Sequence, residues 1–557
     1  MFGFQNFRTR LIFQNGDLMK KPDLKALSQK YDIKALHNKL SHKLRRYQKE
    51  VYMSNDLLFS LTYMASISTA NLTRDKIFSS ISEKKEYCPS IYFNKIKELS
   101  QNWHYDYAHS CELVSEKVTH ERLQELFRRL SNAISAGEPD SEFLVDEWKM
   151  FKTKRKDEYE RELETTKEWS NAYTALLLTG ALIAIIMLLS VILYNIGSAA
   201  RTLYFTMIIV FVIAFGGVIL LFKASPKDSR IHGLTIKSKE QNLIYKWILP
   251  TVALSTLIVI LFTIVPLFTN TAEFSIDIKG VGMIVAGVIM LPVGIIAKRD
   301  LKKVNNRDEN YTTFIRSLGA IISGSGLTVP KALIKLDPKN LGELKDINQE
   351  LYKTLASGLD PKLCWEKFVG KSGSYLIYKL TSVFVDAVNL GGDAEAIGDL
   401  VSSSNMEIVL LRMKMDRVSS AFTNLVIPLH ITMVALLLFI GKILTLFSTI
   451  ISSLYTHFNI DESELEGIPG GIGGMNLGIF GGVPLDLLEQ FVIIVILILT
   501  ISNTFAIIAV KGGPIYLSVY YCGILLILSG ILTIAVPPFV DSIFSFNGLL
   551  NDIGVGT

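Results

Sequence analysis

The sequence predicts an all-α, polytopic membrane protein with two helical domains outside the membrane. Three observations lead there. Charge is segregated: residues 1–170 hold 29 basic and 25 acidic side chains, whereas residues 423–557 hold only two basic ones, Lys442 and Lys511. Seven apolar stretches (172–195, 203–222, 247–269, 280–297, 421–447, 489–510 and 515–537) approach the about 20 residues that cross a hydrocarbon core. The regions outside them show helical rather than alternating periodicity, as at Leu123, Leu126, Phe127 and Leu130. A chain of 557 residues so divided, with a mean hydropathy of +0.34, is neither a soluble enzyme, a disulfide-rich secreted module nor a basic nucleic-acid binder.

Residues 1–55 form a basic segment, whose first 50 residues carry 12 basic against four acidic side chains. That bias suits an acidic partner surface or anionic lipid. Its start is too polar for a signal-peptide core, so insertion is expected to begin near residue 172. Residues 56–170 read as a first helical domain. Residues 171–297 read as four spans with a basic loop, 223–246, holding six basic residues against two acids. Residues 298–420 form a second helical domain, opening on KRDLKK, and 421–557 supply three more spans. Within these, 453–488 has five acids and no Lys or Arg, and its portion 467–484, with eight glycines, reads as a flexible linker. With the N-terminus cytoplasmic, every basic loop lies inside and every acidic one outside, leaving the C-terminus external. Cys88, Cys111, Cys364 and Cys522 share no spacing, so neither a disulfide framework nor a zinc ribbon is expected.

The two helical domains read as copies. At an offset of 255, Ser68, Leu72, Thr73 and Lys76 fall on Ser323, Leu327, Thr328 and Lys331, and Ala136–Asp140 falls on Gly391–Glu395 with no gap. Each copy then feeds into a membrane helix. Gly137 and Gly392 each follow an apolar helical run and are expected to end it in the left-handed conformation. The acids beyond them, Glu138 and Asp140 or Asp393 and Glu395, would open the next helix, where negative charge suits exposed N–H groups. A capped helix–turn–helix explains these residues; the functional alternative is a pair of acidic turns facing a partner.

This arrangement resembles the type II secretion system F-domain family, the inner-membrane platforms of type IV pilus-like machines. The residues that carry the likeness are Gly137-Glu138 with Ser141 and Leu144, and Gly392-Asp393 with Ile397; the second copy departs from the family pattern by using Asp for Glu. Seven spans and the stretch NLVIPLHITMVALLLFIGKIL are similar to the archaeal branch, above all to archaellum platforms, with archaeal adhesion-pilus or secretion platforms as the near alternative. The resemblance implies a non-catalytic protein without cofactor or metal. It further implies that a cytoplasmic hexameric ATPase docks beneath it and that archaellin or pilin subunits are lifted into a filament base. A homodimer and contact with membrane lipid complete the expected partners, with no nucleic acid.

Other chemistry is poorly served. Gly370-Lys371-Ser372 ends like a phosphate loop, but GxxxxGK[ST] requires glycine where Trp365 stands. His104, Asp106, His109 and Cys111 have ligand atom types but match no metal-site spacing, and an exposed amphipathic helix accounts for them. The GGD at 391–393 suggests a membrane aspartyl peptidase, yet it lies well before the fifth span. A secondary transporter is the distant alternative. It would need ionisable groups near the membrane midplane, where the spans offer chiefly His430, with Lys442 near an outer end and Pro266 and Pro292 as expected kinks.

Overall fold

The computed structural model describes residues 53–194, 199–265, 276–458 and 485–544. The account below concerns residues 53 onward. Most of the basic segment 1–55, Pro266, the glycine-rich stretch 467–484 and the final residues 545–557 lie outside the described residues.

Every named element is a helix. The first copy comprises α1 (53–68), α2 (Arg74–Glu83), α3 (Ser90–Trp103), α4 (Tyr107–Lys117), α5 (Glu121–Ala136) and α6 (Asp140–Tyr194). Then come α7 (Ala199–Ala224), α8 (Lys239–Val259, continued by a π-turn) and α9 (Ile276–Ser325). The second copy continues with α10 (Val329–Lys335), α11 (Pro338–Leu341), α12 (Lys345–Ala356), α13 (Pro361–Ser372), α14 (Tyr375–Asn389) and α15 (Ala394–Phe458). The chain closes with α16 (Leu485–Lys511) and α17 (Ser518–Ile543). Among the described residues, seven helices (α6, α7, α8, α9, α15, α16 and α17) are long and apolar enough to cross a membrane. Three of these also belong to a polar domain. The 65 residues of α15, at about 1.5 Å per residue, make one rod of about 98 Å. Helix α9 runs through Pro292 as one assigned helix.

The backbone carries the internal repeat more clearly than the residues do. Helices α2/α10 and α3/α12 begin 255 residues apart (74/329, 90/345). Helices α4/α13, α5/α14 and α6/α15 begin 254 apart (107/361, 121/375, 140/394). Left-handed residues pair likewise: Asn71 with Gly326, His104 with Gly358, and Gly137 with Gly391. Even a cap repeats, since the carboxylates of Asp106 and Asp360 each accept from the amide two residues on at 3.1 Å. The gapless offset of 255 is therefore corrected: one residue is lost between α12 and α13, so Gly137 matches Gly391 rather than Gly392.

The copies lie side by side. Trp148 Nε1 donates to Ser404 Oγ at 2.9 Å and Tyr159 OH to Met415 Sδ at 3.1 Å. Both pairs are 256 residues apart, so α6 and α15 run parallel and in register toward the spans. A second seam joins the α2–α3 connection to α14. Lys84 pairs with Asp386, Tyr378 OH donates to Glu86, and Lys379 Nζ donates to the Glu86 carbonyl at 2.8 Å. Lys379 is buried with its ammonium 4.5 Å from the Tyr87 ring centre. Burial draws its pKa below the usual lysine range.

The α7–α8 connection is clamped to the second copy rather than free. Arg230 meets Asp416 at 2.9 Å, Ile231 forms an antiparallel bridge with Ser374, and the His232 ring hydrogen-bonds the Gly370 carbonyl at 3.1 Å. Burial holds His232 below its usual pKa, so the ring is neutral and Nδ1 accepts from Leu234 N. Arg412 reaches Asp228 at 2.5 Å and Asp308 at 2.7 Å. Asp300 accepts from Tyr516 OH at 2.6 Å, just before α17. These contacts place the α7–α8 connection, the α16–α17 turn and the second copy at the same end of the helical bundle. At the opposite end lie two other ion pairs, Lys279–Glu489 at 2.5 Å and Lys442–Asp541 at 3.2 Å.

Within the bundle, α9 and α17 approach through glycines spaced seven apart: Gly280, Gly287 and Gly294 face Gly530, Gly523 and Tyr520. A Cβ at Gly287 would stand 2.6 Å from the Gly523 carbonyl oxygen. Only hydrogen at that position permits so close a crossing.

Candidate partner-docking face

Helices α13 and α14 touch the α7–α8 connection where they adjoin each other, at Gly370 and Ser374. Their other ends, with the α12–α13 and α14–α15 turns, therefore lie away from the spans. Because α6 starts in register with α15, the Gly137–Asp140 turn lies at the same far end. In the first copy three turns are tied together there. Arg74, opening α2, holds Asp140 at 2.8 Å. Asp75 accepts from Gln101 at 2.8 Å and from Tyr107 OH at 2.6 Å, bringing in the α3–α4 turn. Those hydrogen bonds hold the Asp75 carboxyl below its usual range, while partial burial and the bond to Asp75 push Tyr107 up to about 12.

The six expected contact residues divide by role. Gly137 is left-handed, with φ +74°, and ends α5 as expected. In the second copy that conformation belongs to Gly391, φ +88°, and Gly392 instead allows close packing. A Cβ on Gly392 would stand 2.7 Å from Thr69 Oγ1 at the end of α1. Asp140 is committed to Arg74. Asp393 accepts from Ser323 Oγ at 3.0 Å and from Glu395 N at 3.2 Å, so it caps α15. Glu138 and Glu395 are exposed and leave their carboxylates to solvent. Of the acids singled out, these two best fit a partner.

Reading the residues alone missed apolar side chains on the same face. Trp103 is 71% exposed and Tyr105 42%, flanking left-handed His104; at the equivalent turn Leu359 is 55% and Leu363 61% exposed. The signal was available. Asp106 and Asp360 are both helix caps, and the apolar residue before each cap stands at the same place in the repeat.

The rejected motifs have structural occupations. Lys371 of α13 pairs with Glu350 of α12 at 2.6 Å, and a Cβ on Gly370 would meet Ile236 at 2.6 Å, so no phosphate cradle forms. Asp106 caps α4, His109 faces Glu112 and Cys111 is buried; among the described residues no group of three His, Cys, Asp or Glu could hold a metal ion.

Residues 60–188, from within α1 to near the end of α6, match the family described as Type II secretion system (T2SS), protein F. That segment is similar to a type II secretion system F domain. It coincides with the first copy plus its membrane helix. The likeness to known proteins extends well beyond it. The chain is similar to Flagella accessory protein J of Methanocaldococcus jannaschii, 23% identical over 499 residues, covering 86% of this chain and 85% of that protein. It is also similar to Flagella accessory protein J of Methanococcus voltae, 22% identical over 423 residues, covering 73% and 72%. No solved structure matches the chain. With its likeness to the F domain and its seven apolar helices, this is a multi-pass membrane protein.

Proposed function

We propose that this chain is the non-catalytic membrane platform of an archaellum-type filament machine. It couples a cytoplasmic hexameric ATPase to the insertion of archaellin-like subunits at the filament base. The observation that carries this reading is the pair of repeated helical copies held in register, each continuous with a helix apolar enough to cross a membrane. A push on the far face is delivered along α6 and α15 without a flexible joint. The likeness to the F domain and to Flagella accessory protein J supports the same reading.

The basic loops gathered at the end bearing the copies support a cytoplasmic side for that end. Ser238 is buried, so a cysteine there would stay unlabelled on either side; exposed Thr235 is the informative position. In intact cells, Ser463→Cys should react with an impermeant thiol reagent and Thr235→Cys should react only after lysis. The reverse pattern would overturn the orientation.

The far face is the ATPase contact. Asp140 and Asp393 hold local structure, so the clean variant is Glu138→Lys with Glu395→Lys. It should insert and fold normally, recover at least tenfold less ATPase in pull-downs, and build no filaments. Trp103→Ala should weaken the pull-down in the same direction. Normal recovery and normal filaments in the charge-reversed protein would remove this face from the mechanism.

A further inference from the structure

Ionisable side chains are scarce in the spans, and six polar side chains meet in one place. Tyr173 (α6), His430 (α15), Thr500, Ser502 and Asn503 (α16) and Ser529 (α17) are each at most 1% exposed. Ser502 Oγ lies 3.0 Å from Tyr173 OH, and Tyr173 OH donates to Asn503 Oδ1 at 3.0 Å. The Asn503 amide nitrogen lies 3.0 Å from His430 Nδ1, His430 Nε2 lies 2.9 Å from Ser529 Oγ, and Ser529 Oγ lies 3.2 Å from Thr500 Oγ1. Thr500 donates to the Ile496 carbonyl at 2.8 Å.

With the Asn503 amide oriented so that its oxygen meets Tyr173, the donors order in one sense. Thr500 spends its proton on Ile496, so it accepts from Ser529, which in turn accepts from His430 Nε2–H. His430 Nδ1 is then an unprotonated acceptor, as the Asn503 amide donor requires. Tyr173 gives its proton to Asn503 and accepts from Ser502. Each link fixes the next, across four helices.

We propose that this chain of hydrogen bonds is a register lock, holding the output helices of the two copies to each other through α16 and α17. Apolar contacts surround it, and apolar ridges can slide a little with small loss. A directed chain cannot. Moving α6 or α15 by one residue turns its side chains through about 100° and lifts them about 1.5 Å. The Asn503 and His430 groups would then have no partner in hydrocarbon. Displacement of either copy therefore reaches both rods together. The use of the lock rests on the platform reading, but the lock itself can be tested without filaments.

Spin labels at Leu182→Cys and Leu436→Cys, on exposed faces of α6 and α15 beyond the chain, would report the distance between the rods. The full-length protein in lipid nanodiscs, with its four native cysteines replaced, serves as the parent. Asn503→Leu, which removes the central link at similar volume, should broaden the distance distribution about twofold with the protein still folded. Tyr173→Phe, deleting one hydroxyl, should broaden it less. Should Asn503→Leu fail to fold, Tyr173→Phe decides. An unchanged width in a folded variant, whether or not its melting temperature drops, means that the chain is only packing and overturns the lock. A broadened distribution in a protein that still builds normal filaments would instead leave the lock standing and count against the platform reading.

Discussion

Arg412→Ala is expected to destabilise the protein by about 3–5 kcal/mol, the loss that follows when one member of a buried ion cluster is removed. The side chains of Arg412, Asp228 and Asp308 are 5%, 10% and 2% exposed, so water cannot replace the guanidinium. Two carboxylates on separate elements, the α7–α8 connection and α9, would be left facing each other without the guanidinium that pairs with both. Thermal unfolding in detergent measures the loss. Pairing Arg412→Leu with Asp228→Leu and Asp308→Leu should recover much of it, because the charges needing compensation are gone. A single variant within about 1 kcal/mol of the parent would show that the clamp does not hold the second copy to the spans.

The second large effect concerns the crossing of α9 and α17. Gly287→Ala puts a methyl group 2.6 Å from both the Gly523 carbonyl oxygen and Ile527 Cγ1, and should cost about 1–3 kcal/mol. Gly287→Leu cannot be absorbed by a rotamer change, because the obstruction includes backbone, and should yield no monodisperse protein on size exclusion. Gly324 in the same helix has nothing within 4 Å of its would-be Cβ. Gly324→Ala should therefore stay within about 1 kcal/mol of the parent, on the stabilising side if the helix gains from alanine. Equal behaviour of the two alanine variants would mean that the close approach is not what orders this pair of helices.

The spans and helical class were legible because hydropathy and helical period are local properties. The duplication was legible only in part, since two short matches cannot register a single deleted residue whereas helix starts and left-handed turns can. Gly391 and Gly392 were exchanged for that reason: neighbouring glycines look alike in sequence, and only φ tells the chain-reversing one from the one that lets Thr69 approach. The acids were found by position but not sorted, because whether a carboxylate meets solvent or a distant arginine depends on tertiary structure. The seven-residue glycine period on α9 and α17 was readable and went unused. The polar side chains around His430 were not, for nothing local brings Tyr173 to Asn503 across 330 residues.

The side-by-side packing of the two copies also sets a timetable for synthesis. Thr62 and Trp148 rest on Ser404, a residue 342 and 256 positions later in the chain. At about 5–20 residues per second, the ribosome needs roughly 17–70 s to travel from Thr62 to Ser404. In the later part of that interval, once residue 194 has been made, the first copy is complete and stays open along the flank that α15 will cover. The nascent protein is most vulnerable to proteases and wrong partners then, and a holding chaperone would act on the flank of α1 and α6 before the second copy leaves the exit tunnel.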